Sequence, residues 1–320
     1  MDTPLGVIEC KIREILKKQK EQIFVGDFVE LEQINENSKQ AFVSKVVKRK
    51  NYIPRPKVAN IDCVIIVSAI KEPDLDFEQL DRYLSFCEYY NLHPVLCFNK
   101  NDLDGEEEII SQIQSTYKPL DYKIIFTSAT EGNGIEDLKK LLKDKVTVLC
   151  GSSGAGKSSL VNAIRPGLNL RTKQVSEKTD RGTHTTRHCE IINVGDNAKI
   201  VDTPGFSQLR FDFLMPAEVG GLFREISPFE DGCKFSDCLH EQEIGCNVIE
   251  NRDKIADTRY ASYLQFVKEA KDYKKLVTYN GKKTESKAKF LHNKQVTKIS
   301  SKKRQISRKK SNQNLDKTQD

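Results

Sequence analysis

Short apolar stretches broken by polar residues and turns open the chain. Two of them, Phe24–Leu31 and Ala41–Val47, are rich in Phe and Val, and the first contains a Gly-Asp turn. Such stretches predict short strands joined by turns. Pro54 and Pro56 then end the region, because proline cannot donate a hydrogen bond to a sheet. The pattern predicts a small β-barrel over residues 1–57.

From Ile61 the pattern changes to continuous apolar runs separated by helical spacing. Leu80, Tyr83, Leu84 and Cys87 recur at helical intervals, and a second helical stretch covers Ile135–Leu142. Continuous apolar runs of this length are typical of strands buried on both faces. The predicted strands are Ile61–Ser68, Pro94–Phe98, Tyr122–Ser128, Val146–Cys150 and Lys199–Asp202. Residues 58–226 are therefore predicted to form an α/β domain with helices on both faces of a sheet.

Two further segments complete the chain. Residues 227–278 contain a cluster of Cys and His followed by a helical pattern from Arg252 to Lys275, which predicts a small helical metal-binding domain. Residues 279–320 are rich in Lys, Ser, Gln and Asn and contain few apolar residues. Such a composition cannot bury enough apolar surface to fold, so the segment is predicted to be a basic disordered tail.

Charge changes this picture mainly at the end of the chain. The whole chain has a net charge of +6, but residues 271–320 hold 16 Lys and Arg against four Asp and Glu, a net charge of +12. A basic tail favours a polyanionic partner, although a solubilising end explains it equally well. No apolar run could span a bilayer, and Met1-Asp2-Thr3-Pro4 lacks the features of a signal peptide. Nine cysteines favour a reducing compartment, which we expect to be the cytoplasm.

The segment Gly151-Ser-Ser-Gly-Ala-Gly156-Lys157-Ser158 lies between a predicted strand and a predicted helix. This is the sequence and the context of a phosphate-binding loop, in which backbone N–H groups and a helix N-terminus surround the phosphates. Lys157 would reach the β- and γ-phosphates, and Ser158 would bind Mg²⁺. The candidate phosphate contacts are Gly151, Ser152, Ser153, Gly154, Ala155, Gly156, Lys157, Ser158 and Ser159.

A second nucleotide signature, Asn99-Lys100-Asn101-Asp102, ends an earlier predicted strand. Asp102 can accept hydrogen bonds from the ring N–H and the amino group of guanine, which adenine cannot offer. Lys100 would lie along the base, Asn99 would brace the loops, and the backbone N–H of Ala129, after Ser128, would meet the guanine O6. This signature precedes the phosphate loop, whereas ordinary GTPases have the opposite order. The sequence therefore predicts a circularly permuted GTPase domain that binds GTP and GDP.

Two segments after the phosphate loop supply candidates for Mg²⁺ and the γ-phosphate. Asp202-Thr-Pro-Gly205 follows a predicted strand, so Asp202 could hold Mg²⁺ through water and the Gly205 N–H could meet the γ-phosphate. In Arg181-Gly-Thr-His-Thr-Thr-Arg187, Thr185 or Thr186 could complete the magnesium shell only when the γ-phosphate is present. That dependence would make the segment an order–disorder switch.

The residue that orients the attacking water is less obvious. Phe206 stands where many GTPases have a glutamine for this purpose, and phenylalanine cannot orient water. The substitution favours His184 for the role, although a histidine in a loop is more often simply solvated.

Four potential metal ligands, Cys233, Cys238, His240 and Cys246, lie within fourteen residues of polar sequence. Three thiolates and one imidazole form a closed tetrahedral shell for one structural Zn²⁺. The remaining cysteines lie mostly in apolar segments, where core packing explains them.

These motifs together resemble the bacterial family of ribosome small-subunit-dependent GTPase A, RsgA, also called YjeQ. The resemblance covers roughly residues 7–270 and depends on the permuted motif order followed by the zinc spacing Cys-x4-Cys-x-His-x5-Cys. It implies that the N-terminal barrel is of the OB type. Val7–Arg13 resembles an internal strand of that barrel, so the barrel is expected to be short and its closure is in doubt.

The resemblance also implies a function. It implies a GTP hydrolase that assists late maturation of the small ribosomal subunit, contacts its rRNA, and is stimulated by that subunit. It makes His184 the catalytic histidine and Thr186 the switch threonine that binds Mg²⁺. With Lys157 of the phosphate loop, these are the three predicted catalytic residues. We expect a monomer without a membrane partner. Two alternatives remain, namely a permuted GTPase that acts on another RNA or ribonucleoprotein, and a nucleotide-regulated RNA-binding protein with little hydrolysis.

Overall fold

The computed structural model describes residues 1–4, 6–18, 21–103, 107–168, 189–202, 209, 213–279, 288–291 and 294–297. Contacts divide the chain into two compact units, Met1–Leu209 and Arg210–Asp320, and each is described by itself. The predictions for Gly205, Phe206 and the segment Arg181–Arg187, which includes His184, Thr185 and Thr186, lie outside the described residues.

The first unit begins with a small open sheet. Strand β5 (Gln40–Val46) is central in this sheet, parallel to β3 (Glu9–Ile12) and antiparallel to β4 (Val29–Asn35). Its alternating pattern buries Ala41 and Val43. Among the described residues β3 and β4 remain edges, so a closed barrel is not confirmed. The elements of this region are β1 (Asp2–Thr3), β2 (Gly6–Val7), β3 (Glu9–Ile12), α1 (Glu14–Lys18), β4 (Val29–Asn35), β5 (Gln40–Val46), β6 (Tyr52–Pro54) and β7 (Lys57–Ala59).

The β6–β7 hairpin connects this sheet to the rest of the first unit. Ile53 and Val58 of the hairpin are fully buried in the core of the larger sheet that follows. The Asn51 side chain donates to and accepts from the backbone of Ile61, with both distances 2.8 Å. Polar groups in buried positions need hydrogen-bond partners. These two hydrogen bonds connect the residue before the hairpin to the residue that leads into the larger sheet.

The larger sheet has six strands in the order β10-β9-β8-β11-β13-β12. Neighbouring strands are parallel except for β12, which is antiparallel to β13. The strands are β8 (Cys63–Ala69), β9 (Pro94–Asn99), β10 (Lys123–Phe126), β11 (Val146–Gly151), β12 (Glu190–Gly195) and β13 (Ala198–Asp202). The helices are α2 (Phe77–Tyr89), α3 (Glu107–Tyr117), α4 (Ile135–Leu142) and α5 (Lys157–Ile164). The α/β domain predicted from the apolar runs is thus present.

Alternate residues of β8 build the cores on the two faces of this sheet. Val64 and Ile66 pack with residues of α2 and α3, whereas Ile65 and Val67 pack with residues of α4 and α5. All seven residues of the strand are buried. This double burial explains why the strand reads as a continuous apolar run.

The second unit consists of short helices and turns around one long helix. Its core contains Phe223, Tyr263, Phe266 and Val267. The helices are α6 (Ser227–Glu230), α7 (Asn247–Glu250) and α8 (Asp257–Tyr279), with 3-10 turns at Pro216–Glu218, Gly220–Leu222 and Arg252–Lys254. The sequence places a boundary after residue 226, whereas the contacts divide the chain after Leu209. No helix in the described ranges is long and apolar enough to cross a membrane.

The segment predicted to be a disordered tail contains two short strands. Strands β14 (Ala288–Leu291) and β15 (Lys294–Thr297) form an antiparallel pair. The prediction of disorder is therefore not confirmed for these eight residues, and most of the remaining tail lies outside the described residues.

Candidate nucleotide site and metal centre

Four predicted nucleotide motifs meet at one edge of the large sheet. Strand β9 ends at Asn99, β10 at Phe126, β11 at Gly151 and β13 at Asp202. These four strands run parallel, so their carboxyl ends lie on the same side, which is where open α/β sheets bind ligands. Motifs that are distant in the sequence are therefore neighbours in the fold.

The buried amide of Asn99 joins the phosphate loop to the base-binding loops. Its Nδ2 donates to the Ala155 carbonyl oxygen at 3.0 Å. Its Oδ1 accepts from Thr127 Oγ1 at 3.2 Å and from the Ala129 backbone N–H at 3.3 Å. Gly156 has a φ of +89°, and a Cβ there would collide with Asn99 Nδ2. The close approach of the two loops therefore requires glycine at this position.

The phosphate loop surrounds an inward-turned lysine. Lys157 Nζ donates to the carbonyl oxygens of Gly151 at 2.8 Å and Ser152 at 2.7 Å. Helix α5 begins at Lys157, and its N-cap Gly156 offers no side chain to the backbone N–H groups of the first turn, where Ser158 and Ser159 lie. Such uncapped N–H groups at a helix N-terminus favour a bound anion.

The residues predicted to read guanine lie in a loop with a left-handed turn. Lys100 has a φ of +67°, and its Nζ donates to the Glu72 carbonyl oxygen. The Oδ1 atom of Asp102 is buried and has no hydrogen-bond partner among the described residues. A buried carboxylate oxygen without a partner destabilises the fold unless a ligand satisfies it. The two donors of guanine fit this requirement.

The Ser128 loop is turned back toward the same site. Ser128 Oγ accepts from the Glu131 N–H at 3.0 Å, and the Ser128 N–H donates to the Asn133 carbonyl oxygen at 3.0 Å. These hydrogen bonds leave Ala129 beside Asn99. The structure thus brings together the predicted phosphate and base contacts. Of the remaining candidates for the nucleotide site, the structure describes only the backbone of Asp202, at the end of β13.

The four predicted metal ligands lie together in the second unit. The ligand atoms of Cys233, Cys238, His240 and Cys246 are all within 4.8 Å of one another. Cys233 Sγ lies 3.9 Å from Cys246 Sγ, and His240 Nδ1 lies 3.6 Å and 3.3 Å from these two sulfurs. With a Zn–S distance of about 2.3 Å, tetrahedral ligands are roughly 3.5–3.8 Å apart. The donor set and its spacing therefore fit one Zn²⁺.

Burial affects the ionisation of two thiols in this cluster. Burial raises the pKa of Cys238 to about 12 and also raises the pKa of Cys246. A buried thiolate is unfavourable unless a positive charge compensates it, and a divalent metal ion provides that charge.

Sequence reasoning missed the residues that position the loop around Leu239 and His240, which carries one of the predicted metal ligands. Tyr260 Oη donates to the His240 carbonyl oxygen and Tyr263 Oη to the Leu239 carbonyl oxygen, each at 2.7 Å. Glu230 Oε1 lies 3.3 Å from His240 Nε2. No spacing rule indicates these residues. The partners of the two tyrosines are backbone carbonyls, and the partner of Glu230 is the imidazole nitrogen that does not face the sulfurs. The tyrosines could have been suspected only from their helical spacing on α8.

Comparisons with known proteins agree with this geometry. A family model described as RsgA GTPase matches residues 46–212, and a model described as 50S ribosome-binding GTPase matches residues 146–294. The protein named small ribosomal subunit biogenesis GTPase RsgA from Caldanaerobacter subterraneus is 40% identical over 275 residues, covering 85% of this chain and 92% of that protein. The protein of the same name from Alkaliphilus metalliredigens is 40% identical over 267 residues, covering 83% and 91%.

Solved structures give the same relationship. YjeQ from Thermotoga maritima superimposes with a TM-score of 0.70 at 36% identity, covering 82% of this chain and 90% of that chain. YloQ, described as a circularly permuted GTPase, superimposes with a TM-score of 0.68 at 32% identity, covering 83% and 86%. The permuted order of the nucleotide motifs, the sheet that unites them and these similarities lead to one conclusion: the chain belongs to the RsgA family of GTPases.

Proposed function

We propose that this chain hydrolyses GTP to assist a late step in maturing the small ribosomal subunit, and that the subunit stimulates turnover. One observation carries the nucleotide part of the proposal: Asn99 joins the phosphate loop and the base-binding loops through three hydrogen bonds. The named function of the relatives that match most of the chain supports the ribosomal part.

The residues of the site have distinct proposed roles. Asp102 selects guanine, with Lys100 along the base and the Ala129 N–H at O6. The N–H groups of residues 151–159 bind the phosphates, and Lys157 neutralises the β- and γ-phosphates. When bound with GTP, Mg²⁺ would neutralise charge that develops on the phosphates, held by Ser158, Thr186 and, through water, Asp202.

His184 is proposed to position the attacking water. Phe206 cannot orient water, so the usual glutamine is replaced by a group from the segment Arg181–Arg187. Docking on the small subunit would hold that segment in place, with the Gly205 N–H near the γ-phosphate. Turnover by the free chain should then be slow, because the proposal assigns the placement of the water-positioning group to the subunit.

The other parts of the chain are proposed to serve binding. The small N-terminal sheet, proposed to belong to an OB-type fold, contacts rRNA. The proposed structural zinc stabilises the conformation of the segment Cys233–Cys246 in the second unit. We further propose that the chain acts as a cytoplasmic monomer.

The test compares GTP turnover by wild type, His184→Ala and His188→Ala, each with and without purified small subunits. We expect strong stimulation of wild type and of His188→Ala, which removes a histidine four residues away as the matched control. We expect His184→Ala to keep GTP binding and subunit binding but to lose the stimulation. Large subunits and free RNA should have little effect.

Each alternative predicts a different result. Equal stimulation of wild type and His184→Ala would remove His184 from the mechanism. Turnover that no ribosomal subunit stimulates would remove the ribosome and favour another RNA or ribonucleoprotein. Negligible turnover under every condition, with GTP binding intact, would favour a nucleotide-regulated RNA-binding protein.

A further inference from the structure

We infer that Glu230 is a positioning residue for the zinc ligand His240, whose carboxylate sets how tightly the centre holds its metal. The inference rests on the proposed zinc site but goes beyond the ligands themselves. It assigns a role to a residue that lies outside the Cys-x4-Cys-x-His-x5-Cys motif.

The orientation of the imidazole carries the first step. His240 Nδ1 faces the sulfurs of Cys233 and Cys246, at 3.6 Å and 3.3 Å. A nitrogen that binds zinc has no proton, so the single proton of the neutral ring belongs on Nε2. That nitrogen lies 3.3 Å from Glu230 Oε1, so the N–H is directed at the carboxylate. A carboxylate in this position fixes the tautomer and makes the ring a stronger donor to the metal.

The burial of the pair carries the second step. The side chains of Glu230 and His240 are 6% and 2% exposed. The second carboxylate oxygen, Oε2, is also buried and has no hydrogen-bond partner in the described part of the chain. A carboxylate buried in this way destabilises the fold unless the contact that it makes has a compensating benefit. Here the hydrogen bond identified from the structure is the one to the zinc ligand.

The absence of a side chain at Gly220 leaves space for the contact between Glu230 and His240. A Cβ at Gly220 would collide with Glu230 Oε1 and would lie 3.4 Å from His240 Nε2. The 3-10 turn at Gly220–Leu222 therefore packs against both partners of the hydrogen bond. The φ of Gly220 does not lie in the left-handed region. Its glycine is thus explained by the close approach alone.

Both the backbone and the ring of His240 have hydrogen-bond partners in this arrangement. Tyr260 and Tyr263 fix the backbone carbonyls at His240 and Leu239, while Glu230 fixes the ring. Glu230 is the last residue of α6, three residues before the ligand Cys233. The carboxylate is therefore positioned by the same short segment that delivers the first thiolate.

The test measures zinc affinity of the full chain by competition with a chromophoric chelator, for wild type, Glu230→Gln and Glu230→Ala. We expect Glu230→Ala to lose about 10–100-fold in affinity, the effect typical of removing such a partner. Glu230→Gln should lose less, because its amide oxygen can still accept the Nε2–H. Gly220→Ala should also lose affinity by displacing the carboxylate.

Glu241→Gln provides the matched control. It removes one negative charge from the residue next to His240, but this carboxylate pairs with Lys271 at 2.5 Å. We expect near wild-type affinity for this variant. A second measurement, the ¹⁵N shifts of labelled histidine in the zinc-loaded chain, should show the His240 Nε2–H signal moving in Glu230→Gln but not in Glu241→Gln.

The outcomes separate the inference from the zinc site on which it rests. Wild type that binds no zinc would contradict the zinc site. Zinc binding by wild type with unchanged affinity and unchanged ring shifts in both Glu230 variants would overturn the role of Glu230 alone. Tighter binding by Glu230→Gln would also overturn it, because repulsion between the carboxylate and the thiolates would then dominate.

Discussion

At the scale of single residues, two neighbouring polar side chains of the base-binding loop have opposite hydrogen-bonding states. The amide of Asn99 is buried, and its two polar atoms make three hydrogen bonds within the protein. Asp102 has a buried oxygen without a partner in the described residues. The first residue thus organises the loops within the protein, whereas the second has an oxygen that the guanine proposed to bind here could satisfy.

Replacing Asp102 should therefore change which base is bound. In Asp102→Asn an N–H₂ group faces the guanine donors, so two charge-assisted hydrogen bonds at roughly 1.5–3 kcal/mol each are lost. We expect GTP affinity to fall by about a hundredfold or more and xanthosine triphosphate to bind better than GTP. The measurement is the Kd of both nucleotides, with Asp121→Asn, before β10 at the other end of the sheet, as control. Unchanged GTP affinity would show that this loop does not read the base.

Residues that act through fixed spacing could be predicted from the sequence, and residues that act through space could not. The phosphate loop, Asn99–Asp102 and the four Cys and His ligands each form a local pattern. Glu230 stands in an acidic stretch with Asp231 and Asp237, where nothing in the sequence distinguishes it. Only the fold shows that its carboxylate meets an imidazole and that Gly220 leaves room for it.

At the scale of elements, helix α8 is hydrogen-bonded to the loop that contains Leu239 and the predicted metal ligand His240. Tyr263 is 1% exposed, and its hydroxyl donates to the Leu239 carbonyl oxygen. Burial raises the pKa of Tyr263 well above its ordinary value, so the hydroxyl remains a donor throughout the neutral range.

Removing this hydroxyl should loosen the second unit. Tyr263→Phe leaves a carbonyl without its partner, and we expect a loss of about 1–3 kcal/mol in the free energy of unfolding. Denaturant titration followed by a probe in the second unit measures the loss, with Tyr273→Phe on the same helix as the control. Equal stability of the two variants would show that the Tyr263 hydroxyl does not stabilise the second unit.

Strands that form continuous apolar runs were predictable from the sequence. The five strands read from such runs are all present in the large sheet, and they include the edge strand β10. Strand β12, at the other edge, was missed because Glu190 and Asn193 interrupt its short apolar pattern. Closure of the N-terminal barrel could not be judged from sequence, since it depends on pairing between strands that are distant in the chain.

At the scale of the whole molecule, charge is distributed unevenly along the chain. The last fifty residues carry a net charge of +12 in a chain whose total is +6. Cationic side chains bind RNA by displacing counterions, and this makes binding depend on salt.

Deleting residues 282–320 should weaken RNA binding and flatten its salt dependence. Each phosphate contact that is lost should reduce the slope of log K against log salt by about 0.7–0.9. A full-length variant with six cations of the tail changed to Gln tests charge without changing length, the cations being Lys302, Lys303, Arg304, Arg308, Lys309 and Lys310. Unaltered slopes in both proteins would favour a solubilising role for the tail.

The permuted strand order also has a consequence for synthesis on the ribosome. In the finished sheet β8 is an interior strand, flanked by β9 and β11. During translation β9 and β10 emerge soon after it, but its other neighbour begins only at Val146. Until then the nascent chain carries an apolar strand with one open edge, the kind of surface that recruits wrong partners. At about 5–20 residues per second this exposure lasts several seconds, and it ends when the phosphate loop itself is made.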